Sequence, residues 1–464
     1  MTSRTLFNAS SAALLLSSLT AVGCSGSGSG AAAEKSADVT IAKASVVQAP
    51  PSSVPATALS AAVAANNAFA VDLYAHVLEQ AGGNVLTSPI SASLALTMTY
   101  AGANGTTKTE MATALHLDPD AGDAAFAGQN ALSQALNARA AAALSNAKRG
   151  ASPDAQPSDA DYQLQVVNSV WGEKTYTWEP AFLDVLAANY GTGVYQQDFV
   201  HNFDSARLTI NDWVDTNTND KIKDLLPSGS LNAKTRMVLV NAIHLKLPWV
   251  TAFEPQQTLP GDFVRGDSSQ VQASFMNQTS TFAYVDDGQA QVVSLPLSNR
   301  ELSIVIALPH ADVTLAQYEA TLTAHSAALA PPTAFSLVSL SLPKTTFTSD
   351  SFSLSAALQE MGMKQAFDKD LADFSGVCAH PPDGDNLYVG DVLQKAMIAM
   401  QENGVEAAAA TAVVLAGSNS VELPMPTPVP MNVNRPYLVA IIDNPTGAVL
   451  MLGHIQDPSD AGNP

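Results

Sequence analysis

Serine, histidine and cysteine are the residue types through which this chain could act as a nucleophile, a general base or a metal ligand. The eight histidines are scattered, and the sequence has no His-Glu-x-x-His, Gly-x-Ser-x-Gly or phosphate-binding Gly-Lys-Ser/Thr motif. Cys378 and His380 lie close together, but two ligands do not make a metal site. Ser88 and Ser91 are interpreted as structural hydrogen-bonding residues rather than nucleophiles. We therefore expect no enzyme, no metal and no cofactor.

Cys24 is the residue at which covalent modification is expected. Arg4 supplies a positive charge, and residues 12–19 form an apolar stretch that is too short and too rich in serine to span a bilayer. Ala21-Val22-Gly23-Cys24 resembles a bacterial lipobox. This predicts a lipoprotein signal peptide at 1–23 and a lipid anchor on Cys24, and Ser25 favours the outer membrane. The alternative is ordinary cleavage after Gly23 with an incidental cysteine, which gives an extracellular protein.

Composition limits the remaining classes of function. The chain has 464 residues, 47% of them apolar, and a formal net charge of −21. This charge argues against nucleic acids and anionic membrane surfaces as partners. Cys24 and Cys378 are the only cysteines, and Cys24 lies at the processing site, so no internal disulfide is expected. The predicted organisation is a flexible linker at 24–58, one domain at 59–458 and a tail at 459–464.

Hydrophobic periodicity predicts an α+β fold. Helical spacing dominates the first third of the chain, as in residues 69–77, whereas strand-like runs dominate the remainder. Thr107 and Glu110 predict a capping box, and residues 210–226 predict a further helix. Residues 237–245 form an apolar run typical of a strand buried on both faces. Residues 387–400 are predicted to form one strand.

The stretch 402–412 reads Glu-Asn-Gly-Val-Glu-Ala-Ala-Ala-Ala-Thr-Ala. Its composition alone favours an alanine-rich surface helix. It also suits a strand entering the middle of a sheet, because the side chains are small and every backbone N–H is available. Alternating prolines at 424, 426, 428 and 430 remove every other donor, so the chain beyond cannot do the same.

The pattern Glu-x-Gly-x-Glu-Ala-Ala-Ala-Ala-Thr resembles the hinge of the reactive-centre loop of serpins. On this resemblance the hinge residues are Glu402, Gly404, Val405, Glu406, Ala407, Ala408, Ala409, Ala410 and Thr411. Other stretches resemble the same family in the same order over about residues 60–458, among them 84–105, 167–171, 210–226, 239–249, 342–344, 372–376 and 434–438. The fold implied is a serpin fold with three β-sheets, about nine helices and an exposed reactive-centre loop.

The resemblance implies a monomeric suicide inhibitor whose partner is a serine protease. The protease attacks the loop and forms an acyl-enzyme, and the hinge then inserts into the main sheet as an additional strand. Strand alternation would place Val405, Ala407, Ala409 and Thr411 on the inner face, where charge would be costly. All four are uncharged, which favours an inhibitor. The alternative is a non-inhibitory serpin that acts as a binding or structural protein, or as a protease substrate.

The family's shutter and breach residues correspond to Ser88, Ser91, Asn241, Gln394 and Trp249. Gln394 stands where the family has a histidine that bonds the shutter serines and asparagine. Because an amide both donates and accepts, Gln394 is expected to substitute for it. Three further departures are Val405 for the usual Thr or Ser, Leu247-Pro248 for the usual Gly before Trp249, and Tyr437 for the usual Phe.

The reactive bond has two possible registers. Counting forward from Glu402 gives Ser418–Asn419, whereas counting back from Pro436 gives Met425–Pro426. We favour Ser418–Asn419 because proline after the cut bond is poorly tolerated by serine proteases, and Leu415 and Ala416 remain alternatives. Small and aliphatic residues around Ser418 favour an elastase-like or subtilisin-like target. The absence of Arg and Lys from 402–430 argues against a trypsin-like one.

Overall fold

Helices occupy much of the N-terminal half of the chain. The structure is a computed structural model that describes residues 39–151, 157–322, 329–382, 384, 386–405 and 426–462. Within these residues the α-helices are α1 (Ala56–Leu78), α2 (Pro89–Tyr100), α3 (Gly105–Ala114), α4 (Asp123–Gly150), α5 (Pro180–Tyr190), α6 (Phe199–Asn217), α7 (Leu315–Leu322) and α8 (Ser355–Glu360). Every residue of α2 is buried. Phe69, Leu73 and Val77 lie on the buried side of α1, as their spacing predicts.

The described strands are short near the N-terminus and longer in the second half. They are β1 (Ile41–Ala42), β2 (Val85–Thr87), β3 (Gln163–Glu173), β4 (Val194–Gln197), β5 (Met237–Pro248), β6 (Leu259–Val264), β7 (Gln270–Asp286), β8 (Ala290–Pro296), β9 (Leu302–Pro309), β10 (Phe335–Pro343), β11 (Thr345–Thr348), β12 (Phe352–Ser353), β13 (Val392–Lys395), β14 (Met397–Gln401), β15 (Gly404–Val405), β16 (Val429–Asn432), β17 (Tyr437–Asp443) and β18 (Ala448–Ile455). Segregated helices and largely antiparallel strands confirm the α+β class.

The main sheet positions the site. Its strand order is β1-β4-β3-β5-β15-β14-β11, with β12 and β13 joined beside β5. Strand β5 is buried along most of its length, as predicted for residues 237–245. Ile243, Leu245 and Leu247 of β5 belong to one core cluster, whereas Val240 and Ala242 pack with the buried face of α6 on the other side. Strand β5 is therefore covered on both faces.

The second sheet follows the order β16-β10-β7-β8-β9-β17-β18-β2, with β6 on β7. Three sheets were expected from the family resemblance, but the described residues form two continuous sheets and eight α-helices. The long strand β7 explains why two of the three expected sheets form one continuous sheet. Its residues 275–283 pair with β10, and its residues 283–286 pair with β8, so one strand joins two sets of neighbours.

The N-terminal segment corrects the predicted linker boundary. Residues 39–58 were expected to be part of a flexible linker, but β1 pairs antiparallel with β4, and α1 already begins at Ala56. The Ala49 amide donates to the Ala188 carbonyl at 2.8 Å, and Asn130 donates to the Ala49 carbonyl at 2.8 Å. These contacts attach the segment to α4 and α5. Residues 1–38 lie outside the described residues.

Three element boundaries also differ from the sequence predictions. Thr107 and Glu110 do not form a capping box, because α3 begins at Gly105 and the Glu110 carboxylate accepts instead from the Lys364 and Gln365 amides. The helix predicted at 210–226 is α6, which begins at Phe199 and ends at Asn217. The strand predicted at 387–400 is two strands, β13 and β14.

Candidate functional site: the hinge and the main sheet

The hinge enters the main sheet through a tight hairpin. Strand β14 turns at Glu402 and Asn403 and returns as β15, with Gln401 opposite Gly404 and Met400 opposite Val405. The other edge of β15 pairs antiparallel with the end of β5, where Val405 lies opposite Leu247. The first two residues of β15 therefore already lie between β5 and β14.

Backbone and indole groups near Trp249 hold the carbonyls of this turn. The Trp249 amide donates to the Asn403 carbonyl at 3.0 Å, and the Phe253 amide donates to the Glu402 carbonyl at 2.8 Å. The buried Trp249 indole donates to the Gln401 carbonyl at 2.7 Å. Trp249, which the resemblance assigned to the breach, thus anchors the start of the hinge. The role of Phe253 was missed, because a lone Phe carries no distinctive sequence signal.

Gly404 lies where no other residue fits without displacement. Its φ is +153°, and a Cβ built at this position would lie 2.3 Å from the Leu247 carbonyl oxygen and 2.4 Å from the Pro248 Cα. Both atoms belong to the β5 backbone and cannot rotate away. The unusual Leu247-Pro248 sequence thus forms the wall against which the hinge glycine packs.

The Glu402 carboxylate fixes the turn to two further elements. One of its oxygens lies 2.9 Å from Lys344 Nζ, and the other accepts from the Thr258 hydroxyl at 3.0 Å. Burial alone would disfavour the charge, but the hydrogen bonds from Lys344 and Thr258 outweigh it, and the pKa of Glu402 lies below its usual value. Lys344 occurs in a stretch that resembles the family, but its pairing with Glu402 was not predicted.

Val405 is the one predicted inner-face residue that the structure describes. It is 2% exposed and belongs to the same core cluster as Leu247. The remaining predicted hinge residues, 406–411, lie outside the described residues, as do Ser418, Asn419 and the alternatives Leu415, Ala416 and Met425.

Gln394 lies in a buried amide network at the middle of the main sheet. Its Oε1 accepts from the Ser88 amide at 2.9 Å, and its Nε2 donates to the Ser88 carbonyl at 2.8 Å and to Asn241 Oδ1 at 3.1 Å. Asn241 donates in turn to the Leu393 carbonyl at 3.1 Å. Gln394 and Asn241 lie directly opposite each other, where β13 pairs parallel with β5. The predicted residues thus meet, and they join the two strands.

The two serine hydroxyls bond elsewhere in this network. Ser91 donates to the Ala242 carbonyl at 3.1 Å, and Ser88 donates to the Leu450 carbonyl at 3.3 Å. Gln394 therefore contacts the backbone of Ser88 rather than its hydroxyl. Both serines are almost fully buried and bonded to carbonyls, which fits a structural role.

The edge of β5 that faces β14 is divided into three parts. Residues 239–242 pair with β13, and residues 247–248 pair with β15. Among the described residues, 243–246 have no paired strand on this edge. On this edge β5 is therefore paired with β13 around Asn241, unpaired at residues 243–246, and paired with the hinge strand β15 at its C-terminal end.

Tyr437 departs from the family pattern but has a partner. Its buried hydroxyl lies 3.1 Å from the Thr345 hydroxyl, close to the start of β11. Burial raises the pKa of Tyr437, so the phenol stays protonated and can donate.

Two other sequence features carry no described site. Cys378 is buried, and in the part of the chain that the structure describes no group of three or more His, Cys, Asp or Glu could hold a metal ion. None of the helices described is both long and apolar enough to cross a membrane. Cys24 lies outside the described residues.

Comparison with known proteins gives the family. A family model described as "Serpin (serine protease inhibitor)" matches residues 64–458. An uncharacterised serpin-like protein of Thermococcus kodakarensis is 33% identical, over 86% of this chain and 86% of its own. The human leukocyte elastase inhibitor is 31% identical, over 85% of this chain and 98% of its own. The crystal structure of the thermophilic serpin tengpin in the native state has a TM-score of 0.72 at 24% identity, covering 91% of this chain and 100% of its own. The hinge, the sheet and these similarities together place the chain in the serpin family.

Proposed function

We propose that this protein is a suicide inhibitor of serine proteases that acts by inserting its cleaved loop into the main sheet. The observation that carries the proposal is β15, which already occupies the top of the opening between β5 and β14. The chain that follows Val405 would continue in the same direction, first along the unpaired residues 243–246 of β5. The protein itself is proposed to catalyse no reaction, and it requires no cofactor or metal.

The register of β15 fixes which residues would meet on insertion. Because Gly404 lies opposite Pro248 and Val405 opposite Leu247, continued antiparallel pairing opposes Glu406 to Lys246, Ala407 to Leu245 and Ala409 to Ile243. The unpaired edge 243–246 would be filled first. From Ala410 onward, which would lie opposite Ala242, insertion must separate β13 from β5 and break the Gln394–Asn241 contact.

The same register gives the inserting residues two different environments. Leu245 and Ile243 belong to the core cluster, so Ala407 and Ala409 would enter an apolar layer in which small side chains fit. Lys246 points to the other face, where its Nζ lies 3.3 Å from an Asp161 oxygen. Glu406 would join these two charges on the face opposite the apolar core cluster.

Ser418–Asn419 is the proposed reactive bond. Insertion from Gly404 to Ser418 would carry an attached protease by roughly 45 Å, at about 3.3 Å per residue. The proposed targets are elastase-like or subtilisin-like proteases. Mass spectrometry of the C-terminal peptide released on cleavage distinguishes Ser418 from Leu415, Ala416 and Met425.

Incubation with subtilisin-like and elastase-like proteases tests the proposed function. We expect a protease adduct that survives boiling in denaturant, because the acyl-enzyme is trapped. Loop cleavage with full retention of protease activity would instead support a non-inhibitory serpin that is only a substrate or a binding protein.

Lipid attachment at Cys24 is a separate proposal about location. It rests on the lipobox-like sequence and places the domain on a bacterial outer membrane. A Cys24→Ala variant is expected to leave the membrane fraction while keeping its behaviour toward proteases. If this variant still partitions with membranes, lipid anchoring at Cys24 is wrong.

A further inference from the structure

An exposed apolar patch lies on the second sheet, and we propose that it docks the body of the target protease beside its active site. The loop-base patch consists of Phe335 and Leu337 on β10 and Ala283 and Val285 on β7. Phe335 is 68% exposed and Val285 is 40% exposed, whereas Leu337 and Ala283 are partly exposed. The inference rests on the proposed function and extends it from the loop to a second surface.

Strand pairing puts these four residues on one face. Phe335 lies directly opposite Ala283. Leu337 lies two residues after Phe335 on β10, and Val285 lies two residues after Ala283 on β7, so all four side chains point to the same face. The alternate residues of β10 point inward, since Val338, Leu340 and Leu342 are all buried. Single exposed apolar residues are normal on a protein surface, but a contiguous group with an aromatic at its centre is typical of interaction sites.

The position of β10 identifies the occupant. Before the reactive loop, Glu402 is held by Lys344, which follows the last residue of β10. After the loop, β16 pairs parallel with residues 338–341 of the same strand. The described residues on either side of 406–425 are thus both held along β10, and we expect a protease that attacks between them to approach over this sheet. Phe335 is the first residue of β10, and it lies at the end of that strand where the chain enters β16.

The chemistry of the surrounding surface suits a second protein. Exposed Thr281 and Ser339 flank the patch and carry no charge, so they can hydrogen-bond to a partner without adding to the overall negative charge. An apolar centre with a polar rim is the usual anatomy of a protein interface. Removing Phe335 should therefore weaken docking and leave insertion unchanged.

The test measures binding to a protease whose active-site serine has been replaced, so that no acyl-enzyme forms. A subtilisin-like protease of this kind is titrated against wild type, Phe335→Ser and Val285→Ser, with Leu371→Ser as control because Leu371 is 58% exposed and lies outside the patch. We expect the dissociation constant to rise about tenfold for Phe335→Ser, about threefold for Val285→Ser and less than twofold for Leu371→Ser. All four melting temperatures should agree.

The active protease then separates docking from trapping. Phe335→Ser should slow association about tenfold and leave the trapped fraction at its wild-type value. Equal affinities for Phe335→Ser and Leu371→Ser would overturn the proposal. So would a wild-type dimer that becomes a monomer in Phe335→Ser with unchanged protease affinity, because the patch would then serve self-association. If wild type traps no protease but Phe335→Ser still weakens binding to the inactive protease, the docking proposal is supported and the proposed inhibitory function is wrong.

Discussion

Gly404 controls whether the hinge can lie against β5. Any Cβ there would overlap the Leu247 carbonyl and the Pro248 Cα, and both belong to the backbone of a buried strand. Gly404→Ala is therefore expected to displace β15 and lower the free energy of unfolding by about 1–3 kcal/mol. Denaturant unfolding measures this. Gly390→Ala is the control, because a Cβ at Gly390 has no atom within 4 Å; equal losses in the two variants would contradict the proposed close packing.

Glu402 makes the hinge contact dependent on pH. Its pKa is lowered in the folded state, so its stabilising contribution is complete above its unfolded pKa and is lost as the pH falls through the lowered value. At pH 7, Glu402→Gln should be less stable than wild type by about 1–2 kcal/mol. The difference should shrink as the pH is lowered from 6 to 3. A difference that stays constant over this range would show that the charge of Glu402 does not stabilise the hinge.

For single residues, the capacity to form hydrogen bonds was easier to predict from sequence than the partner that each residue contacts. The capacity of an amide to donate and accept made Gln394 a reasonable substitute for histidine, and the structure brings it to Asn241. The same reasoning could not reveal that it would bond the Ser88 backbone, because that depends on how α2 enters the core. The Lys344–Glu402 pair joins residues far apart in sequence, and only the fold brings them together.

The pairing register between the hinge and β5 predicts different effects for a charge at two neighbouring hinge positions. Ala409→Glu would place a charge opposite Ile243 in the apolar core, which costs several kcal/mol. Ala408→Glu is the matched control, because continued alternation places position 408 opposite the polar side chain of His244 on the other face, rather than opposite the apolar Ile243. We expect Ala409→Glu to be cleaved without trapping protease, whereas Ala408→Glu still gives the adduct on denaturing gels. The reverse outcome would show that the assignment of hinge side chains to the two faces of the sheet is wrong by one residue.

The segment at 39–49 is a second element whose role can be tested. A Cβ at Gly193 would lie 2.2 Å from the Ala42 carbonyl, so Gly193→Val should detach β1 from β4. Amide hydrogen exchange at residues 40–43 should rise by at least tenfold, because the pairing that protects them is lost. Gly82→Val is the control, since a Cβ at Gly82 meets nothing within 4 Å. Unchanged protection in Gly193→Val would mean that β1 is held by other contacts.

Elements with strong periodicity were predictable, and those fixed by tertiary contacts were not. The apolar run at 237–245 became β5, because such a run suits burial on both faces. By contrast, β7 is rich in Gln, Ser and Thr and mixes exposed, partly buried and buried positions without a regular period of two along its length, so its length was not evident. β1 has two residues in a polar, aperiodic region, and only its pairing with β4 makes it a strand.

The whole molecule is proposed to be stored away from its free-energy minimum. The main sheet is closed by β13 at Asn241 but has an unpaired edge at 243–246, directly below the two hinge residues already in place. Filling that edge would add backbone hydrogen bonds and bury small apolar side chains, which favours the inserted form. The intact loop is tied to β16 at its far end, so the gain is available only after cleavage.

The melting temperature before and after loop cleavage tests this claim most directly. A protease that cuts within 406–425 without being trapped is used to nick wild type and Ala409→Glu, and calorimetry records all four samples. We expect nicked wild type to melt well above intact wild type, and nicked Ala409→Glu to gain little, because a buried charge opposes insertion. Identical melting of intact and nicked wild type would contradict the claim that the main sheet accepts the loop as an additional strand.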